Sequence, residues 1–220
     1  MAVQLGNNTI TFPDSTVQTF AYQAGTDTGQ LISITTYTSG TATYTAPPNC
    51  NTVLVKAQGG GGGSAGYCES GGAGGYVERR FAFSAGSTAT VTIGGGGGGV
   101  AYYAAAGAGA TTSFGSYVTA TGGNGANSQN SHTGGSGGVG SGGDINLLGG
   151  GGTGHANGHG YGGMGRGGAG FFGSGNGCRH YYNQFVPGTS PGAGACGANT
   201  DNGSTGTTGA AGLVQVYAYT

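Results

Sequence analysis

Two histidines stand four residues apart in His155-Ala-Asn-Gly-His159. On a helix that spacing would put both imidazoles on one face, within reach of one metal ion. The surrounding glycines each disfavour a helix by about 1 kcal/mol, so the pair reads as two polar side chains on an outer layer. The four cysteines, Cys50, Cys68, Cys178 and Cys196, include no C-x-x-C pair, and structural zinc is not expected. Asp144 and Asp201 are far from each other in sequence and from Glu69 and Glu78, so no carboxylate pair suited to glycoside hydrolysis is visible. No nucleophile elbow or Walker loop occurs, and the many Gly-x-Gly-x-x-Gly matches have no helix after them. The expectation is a protein without catalysis, metal or cofactor.

One stretch is chemically different from the rest. Phe171-Phe172 is followed by Cys178-Arg179-His180-Tyr181-Tyr182-Asn183-Gln184-Phe185-Val186-Pro187, the most aromatic and least glycine-rich part of the second half. Tyrosine and arginine beside amides are typical of recognition surfaces, because rigid rings give contact area at low entropic cost. Phe171, Phe172, Arg179, His180, Tyr181, Tyr182, Gln184 and Phe185 are therefore the expected contact residues. The same rings could instead cap an open end of the fold or bury against another subunit. Tyr102-Tyr103 and Tyr161 with Met164 are weaker candidates of the same kind. Cys178 and Cys196 bracket the stretch, and a disulfide between them would stabilise a loop of this size by about 3 kcal/mol. Cys50 and Cys68 are expected to be free.

The elements that must position these residues are strands and glycine tracts. Only 5% of the residues are charged and the net charge is −1, which leaves no basic field for nucleic acid or anionic lipid. No run approaches the ~20 apolar residues of a membrane-spanning helix. The start, Met-Ala-Val-Gln-Leu, lacks a basic region followed by an apolar one, so the expectation is synthesis in a cytoplasm without a signal peptide. Residues 1–24 read as a separate unit: a strand ending near Phe12, a Pro13-Asp14-Ser15 turn and a second strand, too short to bury both faces alone. Residues 25–29 read as a linker. From Leu31 the alternation strengthens, with a hairpin of 31–37 and 41–45 around Ser39-Gly40. Strands follow at 52–57, 76–83 and 88–93, then a short hairpin around Gly115-Ser116. The closing strand, 213–219, must return to the first ones, so residues 122–212 must leave the sheets and come back.

Glycine fills 58 of the 220 positions, and an ordered glycine costs more backbone entropy than any other residue. That cost is accepted where a side chain cannot fit. Collagen needs a strict Gly-X-Y repeat and abundant proline, whereas here glycines are doubled and only five prolines occur. The units are X-Gly-Gly, as in Ser70-Gly-Gly-Ala73-Gly-Gly and Thr133-Gly-Gly-Ser136-Gly-Gly. A left-handed helix with three residues per turn then has two bare edges, where neighbouring backbones can hydrogen-bond. The expected fold is all-β: a small β-sandwich merged with a stack of polyglycine-II-like helices, essentially without α-helix, over residues 30–220.

The order of these motifs resembles a known family. A strand and glycine run lead to Tyr76-Val77-Glu78, then Thr90-Val91-Thr92-Ile93-Gly-Gly-Gly, Thr112-Ser-Phe-Gly-Ser116 and Val139-Gly-Ser-Gly-Gly-Asp144-Ile145-Asn146-Leu147, and the chain closes with Ala210-Ala-Gly-Leu-Val-Gln-Val216. Over about residues 30–220 this resembles the glycine-rich tail-fibre and adhesin domains of tailed bacteriophages, cyanophages especially. Ile10-Thr-Phe-Pro-Asp-Ser-Thr-Val-Gln-Thr19 looks like the Ile-x-Phe-Pro-Asp-Gly-Thr-Val-Gln-Thr segments of phage fibres, with Ser15 replacing the turn glycine. The resemblance implies a virion protein at a tail fibre, a homotrimer joined to other fibre or virion proteins. Its receptor would be a host cell-surface glycan or outer-membrane protein. The alternative is a structural subunit of a virion or extracellular filament whose loops mediate assembly.

Overall fold

A computed structural model describes residues 29–66, 69–101, 104–127, 133–154, 165–175, 177, 186–197 and 205–220, with the backbone of 4–6, 9–11 and 17–19. Three short strands, β1 (Gln4–Gly6), β2 (Thr9–Thr11) and β3 (Val17–Thr19), form an antiparallel sheet of their own in the order β1-β2-β3. The second and third are the pair read around Pro13-Asp14-Ser15, although the turn itself lies outside the described residues.

Ten further strands make the sandwich: β4 (Leu31–Tyr37), β5 (Thr41–Thr45), β6 (Thr52–Gln58), β7 (Tyr76–Ala82), β8 (Thr88–Thr92), β9 (Thr112–Phe114), β10 (Val118–Ala120), β11 (Gly140–Ser141), β12 (Ile145–Leu147) and β13 (Leu213–Tyr219). They form two five-stranded antiparallel sheets, ordered β11-β10-β9-β8-β5 and β12-β7-β6-β13-β4. Alternate residues of each strand face the other sheet, as the period of two requires. Val53, Val55, Val77, Val91, Phe114, Val214 and Val216 meet there, out of contact with water. The closing strand does pair with the first ones: β13 lies between β4 and β6, with Val216 opposite both Thr35 and Val55.

Two expectations are corrected. The turn at Gly40 is present, with φ +70°, but β4 and β5 do not form a hairpin. β4 pairs with β13, while β5 pairs with β8 in the other sheet. Tyr44 on β5 is buried with its ring centroid 6.0 Å from that of Phe83 and 5.6 Å from that of Phe114, and this aromatic contact holds β5 across the core from β4. Residues 122–212 also do not leave the sheets in one excursion, because β11 and β12 return midway and pair with β10 and β7.

Between the strands the chain makes straight glycine-rich segments that hydrogen-bond in a fixed rotation. In segment 59–66 the N–H groups of Gly59, Gly62 and Ala65 donate to the carbonyls of Gly75, Gly72 and Glu69. Gly60 and Gly63 donate to Ala110 and Gly107, and Gly61 and Ser64 to Ala210 and Thr207. Consecutive residues address three different neighbours, which is the threefold period of polyglycine II. Three more segments donate back, through Gly97 to Gly61, Gly123 to Gly60 and Ala195 to Gly62.

Segment 59–66 is thus ringed by 94–100, 105–111, 121–127, 69–75, 192–197 and 205–212, and each adjacent pair in the ring is itself bonded. Segment 69–75 has an equally closed ring of 59–66, 121–127, 133–139, 148–154, 165–169 and 192–197. The two rings share their centres, giving three layers. The middle layer runs 94–100, 59–66, 69–75, 148–154. The outer layers are 105–111, 121–127, 133–139 on one side and 205–212, 192–197, 165–169 on the other.

Backbones this close leave no room for a side chain. A Cβ on Gly61 would lie 2.0 Å from the Ala193 carbonyl oxygen, and one on Gly62 2.0 Å from that of Asn124. Where a segment faces outward the X residues take over, as with exposed Thr133, Ser136 and Val139. Gln58, the last residue of β6, joins sandwich to stack: its Nε2 donates to Gly74 O at 2.6 Å and its Oε1 accepts the Phe171 N–H at 3.0 Å.

Candidate functional site

Every strand of the sandwich that borders a glycine segment does so at the same end of the stack. β6 runs into 59–66, β8 into 94–100 and β10 into 121–127, while 69–75 and 105–111 lead back into β7 and β9. The chain must therefore reverse at the opposite, far end. Backbone N–H groups tie that end together, donating from Ala65 to Glu69, Gly66 and Gly206 to Val100, Gly135 to Ser70, Ser70 to Thr153, and Thr153 to Arg166. Asn127 and Thr133 are bonded to each other at that end as well. Gly177 is bridged to Arg166, and Val186 to Cys196.

The candidate residues fall into two groups. Cys178, Arg179, His180, Tyr181, Tyr182, Gln184 and Phe185 lie outside the described residues, but their flanks, Gly177 and Val186, stand at the far end. Tyr102, Tyr103, His155, His159, Tyr161, Met164 and Asp201 are likewise outside the described residues.

Phe171 and Phe172 lie at the sandwich end. Phe171 stacks on Tyr76 with ring centroids 3.8 Å apart, and Phe172 meets Tyr76 edge-on at 5.7 Å. The length of a segment separates them from Gly177 and Val186, the described flanks of the rest of the stretch. Sequence reasoning had no signal for this trio, because Tyr76 and Phe171 are far apart in the chain and only the stack closes the gap. Burial, and then the bond its hydroxyl donates to Glu78 Oε2 at 2.7 Å, push the Tyr76 phenol pKa up.

Several charged side chains among the described residues make structural contacts. Lys56 Nζ is 3.7 Å from Glu78 Oε2 and sits over the Tyr217 ring, and Arg80 lies over Tyr219. Asp144 Oδ2 accepts the Arg80 backbone N–H at 2.9 Å, and Glu69 is wholly buried at the far end. Among the described residues no three His, Cys, Asp or Glu side chains are grouped to hold a metal ion. No helix of the described residues is long and apolar enough to cross a membrane.

Cys50 is a free thiol buried in the sandwich core. Cys196 is disulfide-bonded, and the expected partner, Cys178, falls outside the described residues, as does Cys68.

No curated protein matches the chain. A family model described as a glycine-rich domain matches residues 35–219, from within β4 to the end of β13, and the chain belongs to that family.

Proposed function

We propose that this protein is a tail-fibre component of a bacteriophage, a non-catalytic adhesin that binds a host-surface glycan or outer-membrane protein with the far end of its stack. The observation that carries this reading is the polarity of the molecule. The strands of the sandwich gather at one end, and at the other stand Gly66, Val100, Thr153 and Gly206 with Gly177 and Val186, the described flanks of the candidate stretch. The stack between the two ends is a spacer held by backbone hydrogen bonds. The unit β1–β3 serves as the attachment or trimerisation point, joining the chain to other fibre proteins. So few ionic groups give little long-range attraction, so affinity comes from ring stacking, desolvated hydrogen bonds and avidity over several fibres.

Alanine at Arg179, Tyr181 and Tyr182 together tests the contact. Adsorption to host cells should be lost while assembly and melting temperature stay unchanged, and wild-type binding should vary little with salt. Normal adsorption by the triple variant sinks the assignment of this stretch. The second reading, a structural virion or filament subunit, is favoured by the exposed Leu31, Ile34, Ile145 and Leu147, with Ile34 53% exposed. Labelling of this chain on intact virions separates the two: label at fibre tips supports the adhesin, and label along a shaft or capsid supports the subunit.

A further inference from the structure

The large apolar side chains that stand exposed among the described residues gather at two opposite margins of the sheet β12-β7-β6-β13-β4. Leu31, Ile32 and Ile34 lie on β4, at one edge. At the other edge Ile145 and Leu147 lie on β12, with Leu147 opposite the Tyr76 on which Phe171 stacks. Next to them Leu148, 71% exposed, is bridged to Val139. The outward positions of β5 and β8 in the other sheet are all threonine, so this exposure is not a general property of the sandwich. We infer that the two margins are the halves of one contact between copies of this chain, the β4 margin of each copy seated on the β12 margin of the next.

Four strand spacings, about 19 Å, separate the margins, so they cannot cover each other within one molecule. Every neighbouring pair in this sheet is antiparallel, so β4 and β12 run in the same direction. A copy rotated about an axis along the strands therefore brings its β4 beside the first copy's β12 without inversion. At half of the ~200 Å² that such residues present, the eight side chains expose roughly 800 Å² in all. That matches the apolar share of a standard ~1,600 Å² interface, a little over half. No charge opposes the contact. Residues 28–55 hold no charged side chain, while Glu78 and Asp144 beside β12 are engaged by Tyr76 and Lys56 and by the Arg80 N–H. A self-complementary contact at one margin alone would leave the other exposed, whereas the head-to-tail contact covers both in every copy of a closed ring. β6 continues into segment 59–66, so copies turned about such an axis present their far ends on the same side. That gathering of far ends adds avidity under the adhesin reading; the contact itself does not rest on that reading.

The test measures the mass of the full chain in solution by analytical ultracentrifugation over a range of concentrations. Wild type should exceed the mass of one chain. Ile34→Lys and Leu148→Glu each put a charge in one margin and should weaken association at least ~100-fold, as an unpaired charge at a desolvated contact does. Both positions are exposed, so both melting temperatures should match wild type. Mixed one to one, the two variants should form a complex of two chains, because the intact β4 margin of one fits the intact β12 margin of the other. A single-chain mass for wild type overturns the inference. So does unchanged association in either variant, which assigns the contact to β1–β3 or to one self-complementary margin, and so does a mixture that stays as single chains. Adsorption of wild type to host cells is scored separately, so that failure of the adhesin reading leaves the ultracentrifugation result standing.

Discussion

Val91, Phe114 and Val216 in the sandwich and Gly60, Gly61 and Gly62 in the stack are all out of contact with water, but for opposite reasons. In the sandwich, side chains fill the space between two sheets, and their apolar surface supplies the stabilisation. In the stack little but backbone and small side chains such as Ala73 and Ser70 lies between neighbours, and the buried N–H and C=O groups are satisfied segment to segment. A small hydrophobic core is thereby extended without adding apolar residues, which suits a chain only 35% hydrophobic by a count that includes alanine and tyrosine. The comparison teaches that burial alone does not tell what a position tolerates. A core valine has neighbours that can shift around a smaller residue, whereas a central glycine is already at the minimum.

The largest effect should come from adding one methyl group to the stack. Gly61→Ala would put its Cβ 2.0 Å from the Ala193 carbonyl oxygen, and backbone there cannot retreat without breaking its own bonds. The loss should exceed both ordinary overpacking and the ~3–5 kcal/mol of emptying a core aromatic position, and protease resistance should vanish. Gly95→Ala and Gly98→Ala are the controls, because a Cβ at either position meets nothing within 4 Å. Gly137→Val and Gly138→Val should likewise prevent folding while Val139→Ala is mild. Equal tolerance at Gly61 and Gly95 would mean that the stack is only a linker.

A smaller loss is expected in the sandwich. Phe114→Ala removes a fully buried ring from the Tyr44, Phe81 and Phe83 cluster, at a cost of about 3–5 kcal/mol. The chain should remain folded, with a lower melting temperature and slower amide exchange kept in the stack. Simultaneous loss of protection in both regions would show that sandwich and stack unfold as one unit.

The smallest effect is one of pH. Burial, with Cys50 and Tyr37 nearby, pushes the Tyr44 phenol from 10.0 up to about 12. The fold favours the neutral phenol, so its contribution is complete below pH 10 and is lost as pH rises through about 12. Thermal melts at pH 9, 10.5 and 11.5 should show this decline, and Tyr44→Phe should flatten it. An unchanged slope in that variant would assign the decline to other groups.

How much of this was legible in the residues depends on what carries the instruction. The alternation in Leu213–Tyr219 and Thr52–Gln58 marks strands directly, and the X-Gly-Gly units mark a three-residue period with outward X positions. Which segment neighbours which was not legible, because bare glycine edges are alike and the choice is made by the strands that launch each segment. β11 and β12, two and three residues long, carry too little pattern to be seen. The hairpin expected at Gly40 failed because turn residues report a reversal, not the sheet on which the returning strand lands. At the candidate site the aromatic stretch was visible as composition. Nothing in the residues around it gave a sign that Phe171 would find Tyr76.

The rotation of bonding partners along segment 59–66 gives the stack something like a reading frame. Removing one residue from its middle would turn every later residue by a third of a circle, so that a donor meant for segment 69–75 would face 105–111 or 205–212. Only whole triplets can be gained or lost there without scrambling all six neighbours. Within each segment of the stack, changes of length are therefore read in threes.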